Sequence, residues 1–329
     1  MIRYVLRRVL IAVPVLFLIS IAAFAIIQLP PGDYLTTYVA GLQASGQAVN
    51  AAQVAQLAEQ YGLNQPIWVQ YLKWIGNVLQ GDFGTSFEWN QPVSTLLAER
   101  LPLTIVLAVT TLLFTWLLAF PAGIYSALRQ YSWGDYSITV LAFLGIAVPN
   151  FLIALVLAWI SSSVFGQPIG GLFSAEYVDA SWNLGKVLDL LAHIWVPIVV
   201  LGAAGTAGLM RILRANLLDE LRRPYVTAAR ARGIPERRLI VRYPLRVALN
   251  PFISTIGWVL PALISGEVIV AQVLALPTTG PLLVSALTSQ DMFLAGSIIL
   301  IISTLTVIGS LVSDVALALL DPRIRLSYQ

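Results

Sequence analysis

The residue types that carry most enzymatic chemistry are scarce in this sequence of 329 residues. It contains no Cys, so it can form neither a disulfide nor a thiolate metal site. His193 is the only His, which excludes a His-based triad or a His cluster. No Gly-x-x-x-x-Gly-Lys-[Ser/Thr] motif occurs, so the chain cannot bind and hydrolyse ATP in the P-loop manner by itself. We therefore predict no catalytic residue, no metal site and no cofactor on this chain.

The densest group of charged side chains is a cluster of arginines around the stretch from Tyr225 to Ile240. The arginines are Arg222, Arg223, Arg230, Arg232, Arg237, Arg238, Arg242 and Arg246. So many cations fit neither a buried core nor hydrocarbon, so we expect this stretch to lie in the cytoplasm. One interpretation is an ordinary solvated loop, since cytoplasmic loops are rich in Lys and Arg. The alternative is an element that docks on a partner.

Small residues and turn formers give the same stretch a definite local structure. Ala228 and Ala229 lie on one helical turn and allow a partner to approach closely. Gly233 is placed to end that helix as a left-handed C′ residue. Pro235 is placed to start the next helix at its N1 position. The pattern predicts two short helices joined by a tight turn at Gly233.

The rest of the chain is predominantly apolar. Its composition is 58% apolar and 11% charged, with a mean hydropathy of +0.83. Runs of about 20 apolar residues can cross the hydrocarbon layer as helices. We place them near residues 9–29, 102–126, 137–163, 194–211, 247–269 and 294–319. The sequence therefore predicts an all-α, polytopic membrane protein with six transmembrane helices.

The distribution of basic residues orients these spans. All but Lys73, Arg100 and Lys186 of the 19 basic residues lie near either terminus or in or beside the loops near 127–136 and 212–246. Because Lys and Arg accumulate on the cytoplasmic side, both loops and both termini are predicted to be cytoplasmic. The same asymmetry explains the sequence pI of about 9.2 without any binding of nucleic acid.

The predicted spans divide the chain into three parts. Residues 1–30 form an N-terminal span, and residues 31–100 form an extracytoplasmic helical region in which Pro66 opens a helix. Residues 101–325 form a core of five spans that carries the cytoplasmic loop 212–246.

A few residues inside the predicted spans are candidates for a solute pathway. Pro149, with Asn150 and Phe151, interrupts the third span, which indicates either pathway lining or a simple helix kink. Glu267, near the outer end of the fifth span, either reaches interfacial water or faces the pathway as a gate. Asp314 in the last span is expected to pair with an inner arginine.

The order of residue types in the basic stretch resembles the cytoplasmic loop of binding-protein-dependent ABC importer permeases. Thr227-Ala228-Ala229, three further residues and Gly233 match the pattern Glu-Ala-Ala-x-x-x-Gly, with Thr in place of Glu. The loop closes with Leu245-Arg246, where the motif has Leu-Pro.

Three further segments look like the first permease of the dipeptide/oligopeptide (peptide/nickel) branch of this family. They are the whole run from Arg223 to Arg246, the turn Gly81-Asp-Phe-Gly84 and the ending Leu320-Asp-Pro-Arg323. The resemblance thus extends over nearly the whole chain.

The resemblance implies a type I ABC importer permease that forms half of the translocation pathway for a peptide-like solute. It implies a homologous second permease, two ABC ATPase subunits that hold ATP and Mg, and an extracytoplasmic substrate-binding protein. The membrane implied is a bacterial or archaeal cytoplasmic (inner) membrane. The positions carried over as contacts with the ATPase are Tyr225, Thr227, Ala228, Ala229, Arg232, Gly233 and Pro235.

Two departures from the peptide branch leave the solute open. Peptide permeases tend to carry an acid where this chain has Ala271, and a Trp-Pro-Gly turn where it has Leu276-Pro-Thr278. An oligosaccharide, an opine or a metal chelate is therefore the alternative solute. A gradient-driven secondary carrier is a second class, but such carriers usually show inverted repeats and ionisable groups near the midplane. A non-transporting scaffold would leave the ordered turn at Gly233 unexplained.

Overall fold

The structure is a computed structural model that describes residues 2–28, 51–60, 64–166, 170–254 and 268–320, with the single positions 35, 39 and 43. Within this part of the chain the regular elements are all helices, and the β structure is one isolated bridge between Thr85 and Pro92. The predicted all-α class is confirmed.

Fourteen helices are described. In chain order they are α1 (Ile2–Gln28), α2 (Ala51–Gln60), α3 (Ile67–Leu79), α4 (Val93–Leu128), α5 (Trp133–Ala147), α6 (Asn150–Phe165), α7 (Leu184–His193), α8 (Trp195–Leu221), α9 (Pro224–Ala231), α10 (Glu236–Arg242), α11 (Pro244–Ser254), α12 (Val268–Val273), α13 (Thr279–Thr288) and α14 (Met292–Leu320).

Four of the described helices are long and apolar enough to cross a membrane, namely α1, α4, α8 and α14. The pair α5 and α6 adds a fifth span if the two helices are taken together. Most of the predicted span 247–269 lies outside the described residues, between α11 and α12. The chain is a polytopic membrane protein, whereas the count of six spans, the cytoplasmic termini and the three-part division stay predictions.

The predicted third span, 137–163, is not one helix. Helix α5 ends at Ala147, α6 begins at Asn150, and the two helices are bent by 104°. Val148 is extended, with φ −90° and ψ 127°. Proline disfavours helical backbone at the preceding residue and lacks the N–H that would continue the helix. Pro149 therefore breaks the span completely instead of bending it slightly.

The predicted fourth span is longer than its apolar run. Helix α8 ends at Leu221, whereas the apolar run ends near residue 211. The helix therefore continues into the predicted loop 212–246 and carries Arg214 with it. This rigid extension connects the membrane part of the chain to the basic stretch.

Residues Met1–Arg8, Ile105–Pro277 and Thr306–Gln329 form one compact unit. Within it, α8 packs against α11, α5 and α6. Arg8 of α1 binds Asp314 of α14 in the same unit, with Nε 2.9 Å from Oδ2. The predicted pairing of Asp314 with an arginine is confirmed, and the cytoplasmic location of that arginine stays a prediction.

Residues Val9–Thr104 and Thr278–Leu305 form the second compact unit. Its core contains a stacked aromatic pair: the buried Trp74 of α3 lies on Phe24 of α1, with ring centroids 5.8 Å apart. Pro66 caps α3 at its N-terminus, so the prediction that it opens a helix is confirmed.

Gly202 of α8 permits a close approach to α4. A Cβ atom at this position would lie 2.7 Å from Cδ1 of Phe114, a distance that real Cβ atoms do not adopt. Small residues allow membrane helices to pack at this separation. At Gly208 of the same helix, a Cβ atom would meet nothing within 4 Å.

The contrast between Gly202 and Gly208 predicts that the same substitution, Gly→Val, lowers the stability of the protein by different amounts at the two positions. We expect Gly202→Val to destabilise the protein by about 1–3 kcal/mol, because it over-packs a closed helix contact. Gly208→Val carries the same change of helix propensity without the collision and is expected to cost less. The apparent melting temperatures of the two purified variants measure the difference, and equal values would contradict the packing argument.

Candidate functional site

Helix α9 and its C-terminal turn have the predicted geometry. Pro224 occupies the first turn of the helix, Arg232 caps its end, and Gly233 follows with a φ of +73°. The N–H of Gly233 donates to the carbonyl of Arg230 at 2.9 Å. The prediction that Gly233 is a left-handed C′ residue is confirmed.

Pro235 lies one position earlier in its helix than the sequence predicts. It is the N-cap of α10 rather than the N1 residue, with φ −55° and ψ 134°. A ψ of this size is extended, so helical backbone begins at Glu236. The carbonyl of Pro235 accepts the first bond of the helix, from the N–H of Leu239 at 2.9 Å.

An ion pair joins the two helices across the turn. The Nε of Arg230 donates to both carboxylate oxygens of Glu236, at 3.1 and 3.2 Å, and its Nη2 lies 2.5 Å from Oε1. The hydrogen bond to Arg230 holds the pKa of Glu236 below its usual value, and the same bond raises the pKa of Arg230. Both side chains are exposed, so the pair guides the geometry of the turn more than it stabilises the protein.

One side of α9 is anchored and the other is open. Val226 is fully buried in a cluster with Leu239 of α10 and with Leu213 and Leu217 of α8. Thr227 and Ala228 are exposed, and Ala229 is half-buried. The helix thus offers small side chains to a partner while its opposite side packs on the extension of α8.

A positively charged groove of about 780 Å³ runs beside α9. Four arginines and two tyrosines contribute to its lining, namely Arg223, Arg232, Arg242, Arg246, Tyr225 and Tyr243. Its one acidic lining residue, Glu220, accepts a hydrogen bond from the hydroxyl of Tyr225 at 2.5 Å and lies 3.6 Å from Nε of Arg223. Burial and this hydrogen bond raise the pKa of Tyr225.

The groove therefore carries a net positive charge beside the open face of α9. A surface of this kind favours a partner that presents acidic side chains, because complementary charge speeds and orients association. Tyr225, Ala228, Ala229 and Arg232 line this groove. Of the other positions predicted to contact a partner, Thr227 lies on the exposed face of α9, and Gly233 and Pro235 form the turn after it.

A second ion pair holds the predicted loop 127–136 to α8. Nη2 of Arg214 lies 3.0 Å from Oδ2 of Asp135, which is almost fully buried. The same carboxylate accepts the N–H of Tyr131 at 2.9 Å, and the hydroxyl of Ser132 accepts the N–H of Asp135 at 3.2 Å. This cluster was not predicted from the sequence. Its one local signal was the spacing Ser132-x-x-Asp135, which resembles a capping box.

The described candidate pathway residues, Pro149, Asn150 and Phe151, do not line the groove. Pro149 and Phe151 are exposed at the break between α5 and α6, and Asn150 is half-buried there. Glu267 lies outside the described residues, as do Asp321, Pro322 and Arg323 of the C-terminal motif. Within the described part of the chain, no group of three or more His, Cys, Asp or Glu residues could hold a metal ion.

Two family models match the chain and together cover most of it. The model described as "Binding-protein-dependent transport system inner membrane component" matches residues 119–326. The model described as "Binding-prot-dependent transport system membrane comp, N-term" matches residues 1–108.

Curated proteins are similar to the chain over almost its full length. The oligopeptide transport system permease protein AppB of Bacillus subtilis is 38% identical over 323 residues, which cover 98% of each chain. The oligopeptide transport system permease protein OppB of Haemophilus influenzae is 31% identical over 327 residues, covering 99% of this chain and all of that protein. The dipeptide transport system permease protein DppB of Alkalihalophilus pseudofirmus is 31% identical over 339 residues, with the same coverage.

Proposed function

Because the chain belongs to the family of inner membrane components of binding-protein-dependent transport systems, we propose that it forms half of the pathway of an ATP-driven importer for a peptide-like solute. The other half is a homologous second permease. Two ABC ATPase subunits supply the energy, and an extracytoplasmic binding protein delivers the solute. The membrane is the cytoplasmic membrane of a bacterium or an archaeon.

The observation that carries this proposal is the mechanical connection between α9 and α8. The buried side chain of Val226 belongs to the same cluster as Leu213 and Leu217 of α8. Packed side chains resist compression, so packed elements shift as units instead of deforming smoothly. A partner that pushes on the open face of α9 therefore moves α8, which is long and apolar enough to span the membrane.

We assign ATP binding and hydrolysis to the partner subunits because this chain lacks the sequence motif for them. Its sequence contains no P-loop motif, so ATP and Mg belong to the partner ATPases. The positive groove beside α9 and the small exposed residues Thr227 and Ala228 suit docking in an acidic cleft on such a subunit. This docking face is held or flanked by Tyr225, Ala229, Arg232, Gly233 and Pro235.

A peptide-like solute is supported by the names of the relatives, which include oligopeptide and dipeptide permeases. Ala271 stands where peptide permeases tend to carry an acid. In the structure this difference is weaker evidence against a peptide solute than it is in the sequence alone. Ala271 is fully buried within this chain, so its methyl group does not face an open path. An oligosaccharide, an opine or a metal chelate is the alternative cargo on the same architecture.

Reconstitution of the whole complex tests this function. The chain, purified with its co-assembled subunits and incorporated in proteoliposomes, is expected to take up labelled peptide when ATP and the binding protein are present. A mixture of short peptides should stimulate ATP hydrolysis several-fold, whereas oligosaccharides should not. Stimulation by a sugar alone would contradict the proposal of a peptide-like solute. Uptake that needs an ion gradient instead of ATP would contradict the proposal of an ATP-driven importer.

A further inference from the structure

Helix α7, Leu184–His193, has its polarity reversed relative to a helix on a water-soluble surface. Its exposed side chains are apolar and recur at helical spacing, with exposed fractions of 76% for Leu184, 40% for Val187, 58% for Leu188 and 60% for Leu191. These positions form one continuous stripe, because residues three and four apart share a helix face. Nothing within the described part of the chain covers this stripe.

The polar side chains of α7 face inward, where Lys186 and Asp189 bind groups of the preceding segment. Lys186 is 6% exposed, and its ammonium group donates to the carbonyls of Val178 at 3.1 Å and Ala180 at 2.7 Å. The same group lies 4.9 Å from the ring centroid of Phe173. This contact adds a cation–π interaction.

Of the other two polar groups of α7, Asp189 binds the preceding segment and His193 bonds within α7 itself. Asp189 accepts the N–H of Ser174 at 2.8 Å and its hydroxyl at 2.6 Å. His193 is buried, with Nδ1 2.7 Å from the carbonyl oxygen of Asp189. The bonds of Lys186 and Asp189 fix α7 against the segment from Phe173 to Trp182, so the helix cannot turn its apolar face inward without losing them.

A helix in water shows the opposite arrangement, since apolar side chains leave water and charged ones seek it. The outer medium of α7 is therefore apolar, and it is either hydrocarbon or another protein. The position of α7 in the chain decides between hydrocarbon and protein. A single residue, Ile194, connects α7 to α8, which is a membrane-length helix beginning at Trp195. The N-terminal end of α8 lies at a membrane boundary, so α7 lies at the same boundary.

The size and flanks of α7 fit a helix that lies flat in the membrane surface. Ten residues give a helix of about 15 Å, too short to cross the hydrocarbon layer. Trp182, two residues before the helix, is well exposed. Trp is enriched at the level of lipid headgroups.

We propose that α7 is an interfacial helix, with Leu184, Val187, Leu188 and Leu191 inserted among the lipid acyl chains at the end of α8 where the chain enters the membrane. The occupant of its exposed face is lipid. The helix then fixes the depth of one end of α8, while the other end carries α9. This inference concerns a surface remote in sequence from the docking face and does not depend on the solute.

The absence of Cys from the chain allows a clean test. The variants Leu188→Cys and Leu191→Cys, each labelled with a polarity-sensitive thiol fluorophore, are placed in bilayers with the co-assembled subunits. The control is Asp179→Cys, an exposed polar position in the same segment. We expect lipids that carry a quencher near the headgroup end of the acyl chain to quench the labels at 188 and 191 several-fold more than the label at 179. Iodide in the buffer should instead quench the label at 179 more strongly than the labels at 188 and 191.

Two results would overturn the proposal. Equal iodide quenching at 188 and 179 would place the apolar stripe in water. A label at 188 that neither iodide nor lipid quenches would place a protein subunit on the stripe. The two leucine positions are tested separately, and ATP hydrolysis of each labelled complex reports whether it is still assembled.

Discussion

Replacing Gly233 by Val is expected to uncouple ATP hydrolysis from transport. Gly233 has a φ of +73°, a conformation that a β-branched residue avoids at a cost of roughly 1–2 kcal/mol. A Cβ atom there would meet nothing within 4 Å, so the effect comes from backbone strain and not from a collision. The turn between α9 and α10 then changes shape, and the open face of α9 loses its fixed direction.

The measured quantity is the amount of solute taken up for each ATP hydrolysed by reconstituted complex. A strain of this size lowers the equilibrium constant for the native turn roughly tenfold, and we expect the ratio to fall by up to about that factor. Gly233→Asn is the matched control, because Asn tolerates left-handed backbone better than other side chains. Coupled uptake that is unchanged in the Val variant would remove Gly233 from the mechanism.

Replacing Asp291 by Ala is expected to cost about 3 kcal/mol or more, because it leaves several buried donors without a partner. Asp291 is fully buried just before α14. Its Oδ2 accepts the hydroxyl of Ser86 at 2.6 Å and the N–H of Phe87 at 2.7 Å, and its Oδ1 accepts the N–H of Leu294 at 3.1 Å. Burial raises the pKa of this carboxyl, and the hydrogen bonds act in the opposite direction.

The apparent melting temperature of the purified complex measures this cost. Asp82→Ala is the control, because Asp82 is exposed and its Oδ1 accepts the N–H of Gly84 at 2.9 Å in the same loop. We expect a clear fall for Asp291→Ala and a much smaller one for Asp82→Ala. Equal falls would mean that the buried carboxylate does not hold this loop to α14.

Local patterns in the sequence predicted local structure well. The left-handed turn at Gly233 follows from a glycine behind a helical run, and the opening of α3 follows from Pro66. The pairing of Asp314 was predicted because a carboxylate in a span needs a cation, although its partner Arg8 lies 306 positions away. The break at Pro149 was foreseen as a kink, but its size depends on the packing around both helices.

Apart from the pairing of Asp314, contacts between distant parts of the chain were not predicted. Asp291 and Ser86 are 205 positions apart, and Arg214 and Asp135 are 79 apart, so neither contact leaves a pattern in its own segment. The reversed polarity of α7 was missed for a related reason. Leu184, Leu188 and Leu191 have the spacing of an ordinary amphipathic helix, and the side that becomes exposed depends on the bonds of Lys186 and Asp189.

A photo-reactive benzoylphenylalanine at Thr227 tests the central claim, that α9 docks on an ATPase subunit. Thr227 is exposed on the open face of α9, so illumination of the assembled complex should cross-link this chain to the ATPase. The same group at Asp179, an exposed position in the segment before the proposed interfacial helix α7, should give no such product. Absence of the ATPase product at Thr227, in a complex that still hydrolyses ATP in response to its solute, would contradict the account.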